Sequence, residues 1–378
     1  AEGALARVYS LWRRPGRQPS ALRGKLKEHH SISGRLLITW HRQFSKSLAA
    51  AAALLLLGGF AAAEERSPVF DVHLHALQAD AQGPPPLAMC TPMKMPAWDP
   101  ARPYAETFIG LMKEPECEDP VWSPTTDAEV RDRTIAAMER RNVVGILSGT
   151  PDRVADWQAA APGRFYAGLG FNLVSSAMSP DDIRTLHDSG RLFALAEVTN
   201  QYTGIAPNDP RMDPYWRLAE ELDIPVGIHI GTGPPGVIYL GSAEYRAHLH
   251  SPMDLEDVLV RHPKLRVYVM HAGFPMLDDM LAVMYAHPQV YVGVGVIVYT
   301  QRRASFYRYL EAIVDAGFGK RVLFGSDQMV WPETIERGID VIEAAPFLSD
   351  EDKRDILYNN ATRFFRLSDE TIARHHEM

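Results

Sequence analysis

Eight short, nearly all-apolar runs recur from residue 69 onward: Val69–His75, Val143–Leu147, Phe165–Phe171, Leu192–Val198, Pro225–Ile230, Leu265–His271, Val290–Val296 and Arg321–Phe324. Strands that lack strict polar alternation belong to parallel sheets buried on both faces. Between the runs lie stretches with helical spacing and helix-start signals. Thr126-Asp127 precedes Ala128–Arg141, Ser179-Pro180 precedes Asp181–Asp188, Ser251-Pro252 precedes Met253–Arg261, and Pro332 precedes Glu333–Ala344. A hydroxyl followed by Pro or an acid suits the free N–H groups of a first helical turn. Eight such strands alternating with helices predict an α/β fold, a single (β/α)8 TIM barrel. A doubly wound open sheet is the competing topology, because strand count alone does not separate the two.

One segment breaks the rhythm. Ala76–Pro124, rich in Pro and Met, is a long loop insertion after the first strand, far beyond the usual few residues of a connection. It reads as a lid over a site or as a disordered stretch. The chain's two cysteines, Cys90 and Cys117, both fall inside it and favour an ordered lid. In an exported protein they would form a disulfide, worth about 3–4 kcal/mol in the chain-entropy model. Two free thiols are the alternative.

The first 63 residues carry ten Lys or Arg against Glu2 and Glu28, leaving 29 basic and 45 acidic residues in 64–378, a net charge of −16. An acidic body offers no electrostatic footprint for nucleic acid or an anionic membrane. Arg42 and Lys46 precede the uncharged Ala/Leu run Leu48–Phe60, and Ala61-Ala62-Ala63 follows. Basic, apolar, small is the order of a secretory signal. The uncharged stretch Leu48–Ala63 is 16 residues, short of the ~20 that a spanning helix needs. Residues 1–41 therefore read as a non-functional leader, 42–63 as a signal peptide, and 64–378 as the working domain. The expected location is periplasmic or secreted, with an uncleaved anchor as the alternative and the membrane met only through the export signal.

Chemistry gathers at the ends of the apolar runs. Phe70-Asp71-Val72-His73-Leu74-His75 places two imidazoles two residues apart, on one face of a strand. Gly227-Ile228-His229-Ile230-Gly231, Val269-Met270-His271-Ala272-Gly273 and Leu323-Phe324-Gly325-Ser326-Asp327 each end a later run on one metal-competent side chain. The C-terminal ends of barrel strands form the face where active sites of this fold sit. Four imidazoles and a carboxylate converging there are costly as unpaired buried groups. As a zinc-type site with one position left for water they make sense. His248-Leu249-His250 is a second such pair, but it lies in a connection where no strand alternation aligns the rings, and it reads as exposed. His262 and His287 each precede Pro at the opposite end and read as structural. Gly231-Thr232-Gly233-Pro234-Pro235-Gly236 lacks the Lys-Ser/Thr of a phosphate loop and reads as a close-approach turn beside the substrate. Tyr202, Tyr299, Arg302 and Trp331 follow strand ends, and each by itself reads as a surface or packing residue.

This set resembles the amidohydrolase superfamily, in the amidohydrolase-related branch that includes the aminocarboxymuconate-semialdehyde decarboxylase-like enzymes. The resemblance covers roughly 69–367 and includes Tyr358-Asn359-Asn360-Ala361-Thr362-Arg363-Phe364-Phe365, similar to that family's closing helix. It implies His73, His75, His229 and Asp327 as metal ligands. It casts His271 as the histidine that polarises the substrate or shuttles a proton, and Asp327 also as the acceptor of the water's proton. Many two-metal relatives carry a carboxylated Lys at the end of strand four, where this chain has Leu195-Ala196-Glu197-Val198. Glu197 then either binds or bridges a second ion or orients a histidine. One ion is favoured over two.

The expected cofactor is a divalent metal, first of all Zn²⁺, which lowers the pKa of bound water toward ~7. The expected reaction is hydrolysis, with the hydroxide attacking an amide, ester or lactone carbonyl of a small-molecule substrate. The same site serves the rival reading, non-oxidative decarboxylation of a small carboxylated substrate. A non-catalytic barrel is the third. A homodimer is compatible with all three.

Overall fold

The computed structural model describes residues 66–378 except Thr232. The expected leader and signal peptide lie outside the described residues. Eight parallel strands make one sheet: β1 Val69–His75, β2 Val143–Gly149, β3 Phe165–Phe171, β4 Ala194–Val198, β5 Val226–His229, β6 Val267–Met270, β7 Val290–Gly293 and β8 Val322–Leu323. Neighbours in sequence are neighbours in the sheet. Val72 N–H donates to Phe324 O (3.0 Å) and Asp327 N–H donates to His73 O (2.7 Å), joining the last strand to the first. The result is a TIM barrel, as the alternation of apolar runs and helices predicted.

Helix starts follow the sequence signals. Thr126 caps Asp127–Arg140 in a reciprocal capping box with Glu129, and Ser179 caps Pro180–Asp188. The expected helix after Ser251-Pro252 begins as a tighter 3₁₀ turn, Pro252–Leu255, and becomes α-helical only over Glu256–Arg261. The seventh apolar run is also shorter as a strand than expected, because the chain leaves the sheet after Gly293 and forms a helical turn at Ile297–Thr300.

Two layers of core hold the barrel. Phe70, Val72, Val144, Ile146, Ala194, Ala196, Tyr268, Met270 and Leu323 pack inside it, and Tyr358, Phe364 and Phe365 of the C-terminal segment close the lower end. A larger layer lies between the strands and the surrounding helices, with Leu74, Leu195 and Val198 in it. The pleat slips phase at two points, and this positions the site. On β1, Phe70 and Val72 belong to the inner layer and Leu74 to the outer, while the register against β2 shifts between Asp71 and Leu74. On β4, Ala194 and Ala196 are inside and Val198 outside, with a shift between Leu195 and Val198. A bulge of this kind re-aims a side chain at a sheet's end. Here it turns His73, His75 and Glu197 into the mouth.

The insertion is ordered. It holds a two-stranded antiparallel ribbon, Ala88–Met89 with Val121–Trp122, and a helix, Tyr104–Lys113. Cys90 and Cys117 are joined in a disulfide. The Trp331 indole N–H donates to Leu87 O (2.9 Å), and the Tyr104 hydroxyl donates to Pro235 O (2.6 Å), so the insertion is fastened to loops after β8 and β5. Among the described residues, no helix is long and apolar enough to cross a membrane.

Candidate metal centre

The barrel mouth gathers His73, His75, Glu197, His229, His271 and Asp327, of which all but the half-buried His75 are buried. His75 Nε2 lies 3.1 Å from Asp327 Oδ1 and 3.8 Å from Glu197 Oε2. His73 Nε2 lies 3.6 Å from Asp327 Oδ1 and 3.7 Å from Glu197 Oε1. His271 Nε2 is 3.4 Å from Glu197 Oε1. A single ion with bonds of about 2.1 Å separates its ligands by roughly 3.0 Å for neighbours and 4.2 Å for opposite positions. Every one of these distances falls in that range.

His73 Nε2 supplies an independent observation. It is buried and without a hydrogen-bond partner, and such a group costs about 1–3 kcal/mol unless something else satisfies it. It faces two carboxylates, both too far for a hydrogen bond. The donor set therefore fits a divalent cation. Two trios bring their ligand atoms close enough to share one: His73, His75 and Asp327, and His73, Glu197 and His271.

The expected residues thus come together at one point. His229, expected as a ligand, turns Nδ1 toward Glu197 Oε1 and lies 3.0 Å from His271 Nε2. His271, expected only beside the ligands, reaches as close as they do. Its Nδ1 donates to Gly295 O (2.9 Å), which aims Nε2 at the cluster. Burial pushes the Glu197 carboxyl up, but His229 and His73 outweigh it and hold it well below the usual carboxylate range. Burial likewise raises Asp327, and His73, His75 and His271 bring it below its ordinary value. Both stay ionised, as ligands must.

Several supporting residues carried no signal in the sequence. The Asp71 carboxylate accepts from His73 N–H (2.9 Å) and Ser326 N–H (3.0 Å), tying the ends of β1 and β8 together. Burial raises its pKa to about 7, against the pull of those hydrogen bonds. Gln328 bonds both backbone groups of His75, at 2.9 and 2.7 Å. Ser148 Oγ accepts from Glu197 N–H (3.0 Å). A Cβ on Gly295 would meet His73 Nδ1 at 2.6 Å, so only glycine lets that ring lie against the backbone. Asp327, His271 and Val296 have φ of 53°, 64° and 55°, a left-handed conformation that costs a non-glycine residue about 1–3 kcal/mol and collects at functional sites.

The other sequence candidates separate cleanly. His248 is exposed in the Ala247–His250 turn. His262 is held by Glu220 and Asp213, each at 3.2 Å. The Tyr299 hydroxyl donates to Asp327 O (2.8 Å) and supports the site from behind. Tyr202 sits against His229, ring centroids 4.7 Å apart, and burial raises its pKa well above that of an ordinary tyrosine.

Two lobes flank the cluster. One, about 190 Å³, has Ser148, Thr150, Ser175, Ser176 and Thr199 in its wall. The other, about 350 Å³, is lined by Met89, Met93, Met112, Phe108, Phe274 and Trp331 among others. Both touch Tyr202, His229 and Asp327. Neither lobe is lined by Lys or Arg.

A barrel with this mouth defines a metal-dependent enzyme, and the comparisons name its kind. The amidohydrolase family profile matches residues 70–367. The chain belongs to that family and is an enzyme of the amidohydrolase superfamily. It is 24% identical over 265 residues to a gamma-resorcylate decarboxylase of Rhizobium, covering 61% of this chain and 79% of that one. An uncharacterised TIM-barrel protein of Bordetella bronchiseptica superposes with a TM-score of 0.53 at 18% identity, over 81% of this chain and 100% of that one. A 5-carboxyvanillate decarboxylase of Novosphingobium aromaticivorans, complexed with manganese and 4-hydroxy-3-methoxy-5-nitrobenzoic acid, superposes with a TM-score of 0.50 at 14% identity, over 80% and 97%. The two structural likenesses speak for the fold.

The expected hydrolase is corrected by the sequence relative, which is a decarboxylase. The physical reason lies in the ligands. They hold an ion that polarises an oxygen, whether that oxygen belongs to water or to substrate, and strand-end His and Asp do not record which.

Proposed function

We propose that this protein is a divalent-metal-dependent non-oxidative decarboxylase of a small aromatic carboxylic acid. The observation that carries the reading is the pairing of the donor cluster with a lobe walled by methionine and aromatic side chains and roofed by the insertion. Such a lobe takes a flat ring, and the decarboxylase relative supports the choice of reaction.

The ion would be held by His73, His75 and Asp327, with Glu197 facing the same point and His229 orienting Glu197. Zn²⁺ and Mn²⁺ both suit imidazole and carboxylate donors. When bound, the ion supplies Lewis-acid attraction for substrate oxygens. The protein's own groups do the rest. Apolar walls strip water from the ring and leave the departing CO2 unsolvated. Because Gly295 O accepts from Nδ1–H, His271 presents Nε2 to the mouth and is the group that holds a proton there. The bond to the carboxyl carbon breaks, CO2 leaves without its bonding pair, and that pair on the ring carbon takes the proton. We further propose that the acidic body is an exported one, freed of residues 1–63.

The test is product analysis on protein loaded with Zn²⁺ or Mn²⁺, offered a panel of hydroxylated benzoic acids. CO2 release with loss of the carboxyl group is expected. An intact carboxylate throughout the panel would overturn the reading.

A further inference from the structure

The insertion builds a third cavity that the proposed reaction does not use. It is about 580 Å³, larger than either lobe at the metal centre. Its wall includes both halves of the disulfide, Cys90 and Cys117, so the chamber is pinned at one side by a covalent link. Met89, Met93, Met95, Met112, Thr300 and Gln301 line this chamber and the apolar lobe alike. Methionine is unbranched and adapts its shape to what it contacts. A partition made of four such side chains yields to a ligand that extends through it.

The chamber also carries the charge that the inner lobes lack. Lys94 and Arg302 are in its wall, with Glu116 as the one acid. Lys94 Nζ is paired with Glu116 Oε2 at 2.6 Å, which cancels both. Arg302 is exposed, lies next to the shared residues Thr300 and Gln301, and has no acidic partner among the described residues. An unpaired guanidinium at the far side of an apolar passage selects an anion by charge and by its planar fork of donors.

We propose that this chamber is a second substrate subsite, which takes the distal, anionic end of an elongated aromatic acid while the reacting carboxylate lies at the metal centre. The inference rests on the proposed function for the identity of the reacting end. The substrate class is then an acid longer than one ring, with a second acidic group remote from the first, and Arg302 is the specificity-determining cation. The passage between the two ends is the methionine partition.

The experiment uses the metal-loaded full chain and three probes: benzoate, biphenyl-4-carboxylate and biphenyl-4,4'-dicarboxylate. Binding is measured by calorimetry, and CO2 release is followed separately. The dicarboxylate is expected to bind three- to five-fold more tightly than the monocarboxylate, the size that a solvent-accessible ion pair provides. In Arg302→Gln this preference falls to about two, the statistical factor of a diacid with two equivalent ends. In Ser305→Trp, which places a large ring in the chamber wall, both biphenyl acids are expected to weaken at least ten-fold relative to benzoate. A preference of no more than about two-fold in the parent protein, or a preference unchanged in Arg302→Gln, would overturn the subsite. A change of the same size for benzoate would mark a general field effect and also overturn it. The preference is read from binding, so its presence while the hydroxylated benzoic acid panel yields no CO2 would fail the decarboxylase reading alone.

Discussion

Both ends of the barrel bury histidines, and His375 at one end and His73 at the other are held in opposite ways. At the lower end, His375 pairs Nδ1 with the Tyr358 hydroxyl (2.8 Å) and Nε2 with the Tyr166 hydroxyl (2.9 Å), one ring nitrogen donating and the other accepting. Both ring nitrogens are satisfied within the protein. At the upper end, His73 Nε2 is buried with no hydrogen-bond partner and looks across at two carboxylates. The backbone there is also held in left-handed conformations at His271, Val296 and Asp327. A buried polar group with all its partners is structure. His73 Nε2 lacks them and faces two carboxylates at the spacing of ligands that share an ion, so it fits a cation from outside the chain.

The sharpest way to break this contrast is to remove one imidazole from each end. His73→Ala is expected to abolish metal retention and to lower decarboxylation by at least about 10³-fold, since the ion supplies several kcal/mol of charge stabilisation. Metal analysis beside the assay checks it, and an active variant with full metal content would put the ion elsewhere. His271→Gln is expected to lower kcat by about 10²–10⁴-fold, the usual range for a group that moves a proton, with metal content retained. Loss of metal from that variant would make His271 a ligand. His375→Ala is expected to leave metal content and activity per folded molecule unchanged. Its cost is stability, about 1–3 kcal/mol for each tyrosine hydroxyl left without a partner, read as a shift in the denaturant midpoint.

The smallest effect is a pH dependence at the lower end. Burial depresses the His375 pKa from 6.5 to about 4, helped by Arg374 and His376. Between those values the unfolded chain binds a proton that the native protein does not, so stability falls as pH is lowered from 6.5 toward 4 and levels off below. His375→Ala should lose this segment of the pH–stability curve. An unchanged segment would assign it to other groups.

The strand order, the mouth and most of its donors could be read from the chain because they depend on local pattern. Apolar runs mark buried parallel strands, and a strand's last residue is always near the active face of a barrel. What could not be read depends on contacts between residues far apart in sequence. Asp71 binds Ser326, and Gln328 holds His75, at separations above 250 residues. The phase slips on β1 and β4 that bring His73 and Glu197 inside are likewise set by register against neighbouring strands. That His229 and His271 both approach one carboxylate, Glu197, is likewise a contact between distant strands. Reaction type was the least legible feature, because one ligand set serves more than one chemistry.

The most direct test of the account is metal-dependent CO2 release. The protein is stripped with a chelator, divided, and one half is reloaded with Mn²⁺ or Zn²⁺ before the hydroxybenzoic acid panel is added. CO2 is expected from the reloaded half and none from the stripped half or from reloaded His73→Ala. Equal CO2 from stripped and reloaded protein, or none from either, would contradict it.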